Sequence, residues 1–384
     1  MRVGCMNFKI KTKMKTNIFC ILLAVGLTAV SCTSKETNDI YLCGNDSGRS
    51  AYYWVNGVKT PLSPECHTAQ VSAIKVLDGD IYCAGYIREH EGDNTVAVYW
   101  KNGSVVRLTD GTCDAYAADM YVAYKAVCCV GREADGPKKK MPRRRYSFDY
   151  DRVRHDRAKA WFRYDWGSSR ELVLTDGEHH GAVTGVYVDP ENGMHLVGYD
   201  EGIRAGLIGT LDPFYKSRYW RLRGEDWALA DKQDVFEHSG QATAVFGADD
   251  DVYICGWNDD DLQSSGGFDA LYWKNGWAKN LPDNYEVTIV DGCVNGTDWY
   301  MCGYEYDYDD VPHASYYKNG QAVKLFEHNS PIQSKIYSMA IVDPDVYMAG
   351  YSGLQAGYWK NDRFTPLEGI GGEITGIVVR EPGI

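Results

Sequence analysis

Four pairings of glutamate with histidine punctuate the chain. Glu65 and His67 flank a cysteine, Glu178 precedes His179 and His180, and Glu237-His238 and Glu327-His328 are adjacent. Imidazole beside carboxylate can ligate a divalent transition metal or act as general acid and base. A catalyst built this way would be a metal-dependent lyase or hydrolase. A single such pair in a loop bonds its own backbone or faces solvent; recurrence at corresponding places is what raises the question. A second set is acidic and aromatic: Trp257 with Asp259, Asp260 and Asp261, and Tyr304 and Tyr306 with Asp307 and Tyr308. Ring faces stack on sugars or apolar side chains while carboxylates fix hydroxyls or cations. The plain alternative is solvated loop in a chain with 29 tyrosines. Walker loops, dinucleotide-binding glycine fingerprints, His-Glu-x-x-His helices and Gly-x-Ser-x-Gly elbows are absent from the sequence.

What must position these residues is a repeat. A short apolar strand ending in glycine recurs as IYLCG (40–44), IYCAG (81–85), VCCVG (127–131), MHLVG (194–198), VYICG (252–256), WYMCG (299–303) and VYMAG (346–350). Each is followed by an aromatic pair: Tyr53-Trp54, Tyr99-Trp100, Trp161-Phe162, Tyr219-Trp220, Tyr272-Trp273, Tyr316-Tyr317 and Tyr358-Trp359. Asn-Gly at 56–57, 102–103, 275–276 and 319–320 closes four of these into hairpins, because both residues tolerate the positive φ of a type I′ turn. A third, most apolar strand reads VSAIKV (71–76), VTGVYV (183–188), ATAVF (242–246), SMAIV (338–342) and ITGIVV (374–379), and suits a crowded inner edge. The stretch from Tyr116 to Ala126 reads as irregular, and the third copy lacks Asn-Gly.

Four short strands per repeat make a propeller blade, so the expected fold is all-β: one seven-bladed β-propeller over residues 39–384. The chain opens on a second strand at Ile40 and stops after an inner strand at Val379, so pairing the two ends completes a blade and removes two bare edges. The layout resembles bacterial extracellular repeats of the HAF type, which carry an aromatic-Trp-x-Asn-Gly hairpin, and surface-layer propellers of YVTN type. That resemblance implies the fold and an extracytoplasmic setting and carries over no catalytic residue. Loops alternate between two faces: tight turns on one, and on the other the variable loops that hold both candidate sets. Binding concentrates in variable loops on a rigid scaffold. The Glu-His loops lead into the inner strands and are expected to ring the channel mouth.

Arg2, Lys9, Lys11, Lys13 and Lys15 precede the apolar run Ile18 to Val30, which is too short to span a bilayer. Residues 1–31 therefore read as a signal peptide. Ala29-Val30-Ser31-Cys32 resembles a lipobox, which implies a lipid on Cys32, a tether over 32–38 and a cell-envelope location, the outer membrane being preferred. The mature chain then holds 53 acidic residues against 35 basic, a net charge of −18, which excludes nucleic acid as a partner. Of its remaining cysteines, nine follow Cys32; three occupy a repeat position held elsewhere by Ala or Val, which marks small buried residues rather than disulfides. Residues 132–159 form a loop insertion with a local charge of +6, suited to solvent or to an anionic surface. Two functions follow. The first is a lipid-anchored, non-catalytic scaffold binding a glycan or an envelope protein through its acidic, aromatic face. The second is the metal-dependent enzyme, with a divalent metal held by the Glu-His loops.

Overall fold

The structure is a computed structural model. It describes residues 38–136, 155–205, 211–224, 227–235, 239–259, 268–285, 287–307, 309–326, 330–368 and 371–381. Cys32, the signal-like segment and residues 137–154 of the basic insertion lie outside the described residues.

Among the described residues, 28 strands form seven four-stranded antiparallel sheets, which are the blades of a β-propeller. Blade 1 joins the ends of the chain: β28 (Gly372–Arg380) lies inside β1 (Asp39–Asp46), followed by β2 (Ala51–Val55) and β3 (Val58–Leu62). Ile40 faces Val379 and Gly44 faces Ile374, so the ring closes as its phase requires. Blades 2 to 7 span 68–107, 115–173, 181–234, 239–285, 287–324 and 334–366. Their inner strands are β4 (Thr68–Leu77), β8 (Ala115–Ala123), β12 (Gly181–Val188), β16 (Ser239–Ala248), β20 (Val287–Asn295) and β24 (Ser334–Val342). The stretch expected to be irregular after Tyr116 is the strand β8, which pairs with its neighbour from Ala115↔Glu133 to Ala123↔Ala126 with one bulge at Ala118.

Every inner strand carries one β-bulge at the same level. The skipped residues are Ser72, Ala118, Thr184, Thr243, Val290, Tyr337 and Thr375. The bulge drives a carbonyl against the neighbouring strand, and this explains the repeated glycine. A methyl on Gly85 would overlap the Gln70 carbonyl, and one on Gly303 the Thr288 carbonyl. The Asn-Gly turns are as read, with φ of +50° at Asn102 and +82° at Gly103.

The cores lie between blades. Each of seven apolar clusters joins two neighbours; Leu62, Val71, Ile74, Cys83 and Trp100, for example, unite blades 1 and 2. Trp54, Trp100, Trp161 and Trp220 are fully buried at the equivalent third-strand position. Trp161 faces Cys129 as Trp100 faces Cys83, so the aligned pair in blade 3 is Ala160-Trp161, one residue earlier than the sequence suggests. All nine described cysteines are free thiols and six are buried, in keeping with a packing role.

Candidate functional site

The tight-turn face is occupied by a structural device. In blade 2, Asp80 accepts from Asn102 Nδ2 (2.7 Å) and pairs with Lys101 (2.7 Å), whose ammonium sits 5.2 Å from the Tyr82 ring centre. Asn102 Oδ1 in turn accepts the Ile81 N–H at 2.8 Å. The same four residue types repeat as Asp251, Tyr253, Lys274 and Asn275, as Asp298, Tyr300, Lys318 and Asn319, and as Asp345, Tyr347, Lys360 and Asn361. These carboxylates brace hairpins. Blade 1 keeps Asp39, Tyr41 and Asn56 but has Val55 in place of the lysine, and the device is lost in blades 3 and 4, where Phe162 and Arg221 replace the lysine and Cys128 and His195 replace the tyrosine.

In blade 4 a different network fills that position. Buried His195 is 2.9 Å from Asp189 Oδ2 through Nε2 and 2.7 Å from the Tyr219 hydroxyl through Nδ1. Arg221 reaches the same Asp189 oxygen at 3.3 Å. Burial holds the His195 imidazole below its ordinary value. For Asp189, burial pushes the carboxyl up, but His195 and the Gly193 N–H outweigh it and the net shift is downward. Tyr219 is pushed up to about 12, mainly by burial. The network floors an open cleft of about 510 Å³ between blades 4 and 5.

The variable-loop face carries an aromatic collar. The residue after each repeat glycine stands at one register level: Tyr86, Arg132, Tyr199, Trp257, Tyr304 and Tyr351, with Asn45 in blade 1. All except Asn45 are half-buried at the blade seams. Tyr86 meets Tyr116 edge to face at 4.9 Å, and the Arg132 guanidinium lies 4.6 Å from that ring. Tyr199, Tyr215 and Trp257 form a run across blades 4 and 5, with ring centres 5.3 and 6.5 Å apart. Burial raises the phenols of Tyr86 and Tyr199, so they remain protonated donors at neutral pH.

The remaining expected residues fall as follows. Tyr304 and Tyr306 enclose Lys335 from blade 7, whose ammonium is 4.0 and 5.5 Å from their ring centres. Asp307 shapes its own loop: Oδ1 accepts the N–H groups of Asp309 and Val311 at 2.9 Å, and Oδ2 is 2.9 Å from His313 Nε2. Asp259 ends the second strand of blade 5, and Asp260, Asp261 and Tyr308 lie outside the described residues. Glu65 and His67 are exposed beside blade 2. Glu237, His238, Glu327 and His328 lie outside the described residues.

Glu178 is exposed, and its N–H donates to Asp176 at 2.9 Å. The two histidines that follow it enter a cluster at the seam of blades 3 and 4. The His155 ring is 5.0 Å from that of His180 and 5.9 Å from that of His179. His155, His180 and Glu201 present ligand atoms all within 4.8 Å of one another. Burial, then the neighbouring imidazoles, lower the His155 pKa; Asp156 raises that of His180. Sequence reasoning placed His155 in an insertion and did not single out Glu201; neither has a repeat counterpart that would have flagged it.

No family model matches the chain, and no curated protein matches it in sequence. Solved structures do resemble it. The β-propeller domain of the Trilobed protease from Pyrococcus furiosus superposes with a TM-score of 0.45 at 11% identity, covering 78% of this chain and 84% of that one. A puromycin-hydrolyzing peptidase of Mycobacterium tuberculosis gives 0.50 at 12% identity over 85% of this chain. An acylaminoacyl peptidase of Pyrococcus horikoshii gives 0.46 at 12% over 78%. The chain spans about half the length of these last two, 53% and 45%. At such identities the likeness concerns the fold alone.

Proposed function

We propose that the protein is a lipid-anchored cell-envelope propeller, extracytoplasmic and of the HAF or YVTN repeat kind, that binds a glycan through its aromatic collar. The reading is carried by the run Tyr199, Tyr215 and Trp257 at the mouth of blades 4 and 5. Half-buried rings held at fixed spacing offer flat apolar faces to sugar rings at little entropic cost. Polar groups at the same level serve the hydroxyls: Gln241 opposite Trp257, and Asp200 beyond Tyr199. The repeat places these groups on strands rather than on loop tips, which favours a preformed site. Membrane attachment through Cys32, with the outer membrane preferred, rests on the lipobox-like Ala29-Val30-Ser31-Cys32.

A glycan array followed by calorimetry on a positive sugar tests the proposal. Trp257→Ala and Tyr199→Ala are each expected to weaken binding by about 1–3 kcal/mol of ring contact, whereas Trp277→Ala, on an exposed tryptophan elsewhere, leaves it unchanged. Absence of any glycan ligand, together with capture of an envelope protein that both collar variants abolish, would replace sugar by protein as the partner.

A further inference from the structure

We propose that His155, His180 and Glu201 form a binding site for one divalent transition metal ion, which clamps blade 3 to blade 4 on the variable-loop face. The proposal does not depend on what the collar binds. Two imidazoles and a carboxylate match the preference of zinc, cobalt, nickel or copper over magnesium or calcium, which favour oxygen-rich shells. A tetrahedral centre with bonds of about 2.0–2.1 Å spaces its ligand atoms about 3.4 Å apart. The three residues already stand within 4.8 Å, so side-chain rotation alone closes the gap.

The backbone holds the ligands in place. The Glu201 N–H donates to the His180 carbonyl at 2.7 Å, and the Asp135 N–H to the His155 carbonyl at 2.8 Å. The Asp156 N–H meets His180 Nδ1 at 3.2 Å, which ties the residue beside one ligand to the ring of the other. The Asp156 carboxylate lies 3.8 Å from that nitrogen, close enough to favour a positive charge at the cluster.

A second observation points to a ligand. His155 Nδ1 is shut off from solvent and finds no hydrogen-bond partner. A buried nitrogen left so is costly, and coordination or a proton shared with an incoming group relieves it. A metal there would join the start of the third strand of blade 3 to the first two strands of blade 4.

The experiment uses the chain without a histidine tag, stripped with chelator and titrated with Zn²⁺ by calorimetry and with Co²⁺ by visible absorption. One ion per chain is expected, with the intense absorption of four-coordinate cobalt and a melting temperature that rises on adding Zn²⁺ but not Mg²⁺. His155→Ala, His180→Ala and Glu201→Gln should each weaken Zn²⁺ by about 100-fold or more, since loss of even an outer-shell partner costs 10–100-fold. His67→Ala, on an exposed histidine of a comparable loop, should bind as the parent does. Melting in chelator establishes that each variant folds, and His155→Gln, which keeps the side-chain bulk, replaces His155→Ala if that one does not. Stoichiometric zinc that survives all three substitutions with less than a tenfold change overturns the assignment. So does equal weakening by His67→Ala, or a parent protein that binds no transition metal.

Discussion

His195 commits both ring nitrogens inside the fold, and this fixes its protonation. With Asp189 on one nitrogen and the Tyr219 hydroxyl on the other, the imidazole bridges a carboxylate to a phenol in a buried site. Its folded pKa lies below the ordinary 6.5 because burial disfavours the charged ring. The unfolded chain therefore takes up this proton first as the pH falls. The stabilisation is complete above 6.5 and is lost progressively as the pH drops from 6.5 toward the folded value. Asp189, held below 3.8, adds a second loss only under 3.8. His195→Gln is expected to cost about 2–3 kcal/mol at pH 7.5, because Asp189 and Tyr219 lose their bridge in a buried place. The stability gap between parent and variant should narrow between pH 7 and 5, as measured by urea unfolding; a gap independent of pH would show that His195 titrates as it does in the unfolded chain. Residue-scale chemistry was only half legible in the sequence. His195 was read correctly as a strand residue, but Asp189, Tyr219 and Arg221 become its partners only through register. In the same way Tyr304 and Tyr306 were visible as aromatics, while the Lys335 they enclose comes from the next blade.

At the scale of the strand, the inner bulge and the glycine opposite it are one feature. The bulge turns a carbonyl onto the neighbouring strand, so position five of VYxxG tolerates no side chain. Gly303→Ala would press a methyl on the Thr288 carbonyl, backbone that cannot give way, and should cost about 3 kcal/mol or more. Gly57→Ala meets open space and strains only its φ of +83°, so about 1–2 kcal/mol is expected. Chemical denaturation of the two variants separates these causes; equal midpoints would mean that the close approach is not what selects glycine. The glycines, the Asn-Gly turns and the tryptophans were readable because they repeat, and repetition reveals a local demand without stating its cause. The bulge was not readable, since its position holds Ser72, Ala118, Val290 and Tyr337 as well as Thr184, Thr243 and Thr375. Nor was the aligned pair in blade 3: Trp161 and Phe162 are both large and apolar, and only the pairing of Trp161 with Cys129 decides between them.

Across the whole molecule, the same bulges join each blade to the next. Where the bulged residue is serine or threonine, it reaches a carbonyl of the following inner strand: Ser72 to Ala117 at 3.0 Å, Thr184 to Ala242 and Thr243 to Ile289 at 2.7 Å, and Thr375 to Val71 at 3.0 Å. Where it is Ala118 or Val290, the next residue, Asp119 or Asp291, accepts the N–H of Val186 or Met339 at 3.0 Å. At the remaining seam the Glu373 carboxylate lies near Tyr337 and, after burial, helps to hold its phenol protonated. Every junction between neighbouring inner strands is thus crossed by at least one polar link, and the ring is only as strong as its weakest seam. Thr243→Val should cost about 1 kcal/mol, whereas Asp119→Ala, which strips the acceptor from the N–H groups of Met120 and Val186, should cost about 2–3 kcal/mol. Closure was the one global property the sequence announced, through the phase of its ends, and it gives the sharpest test. Removing residues 372–384 takes away β28, bares an edge of β1 and deletes Ile374 and Ile377 from the core between blades 7 and 1. The shortened chain should lose its cooperative melt or aggregate through the bare edge. A synthetic peptide of residues 371–381 should restore the melt by adding the missing strand. The same peptide with Gly376→Val should fail, since its side chain would press on Cys43 and Ile74. A shortened chain that melts as the parent does would mean that six blades hold themselves together and that the closing strand only decorates the seventh.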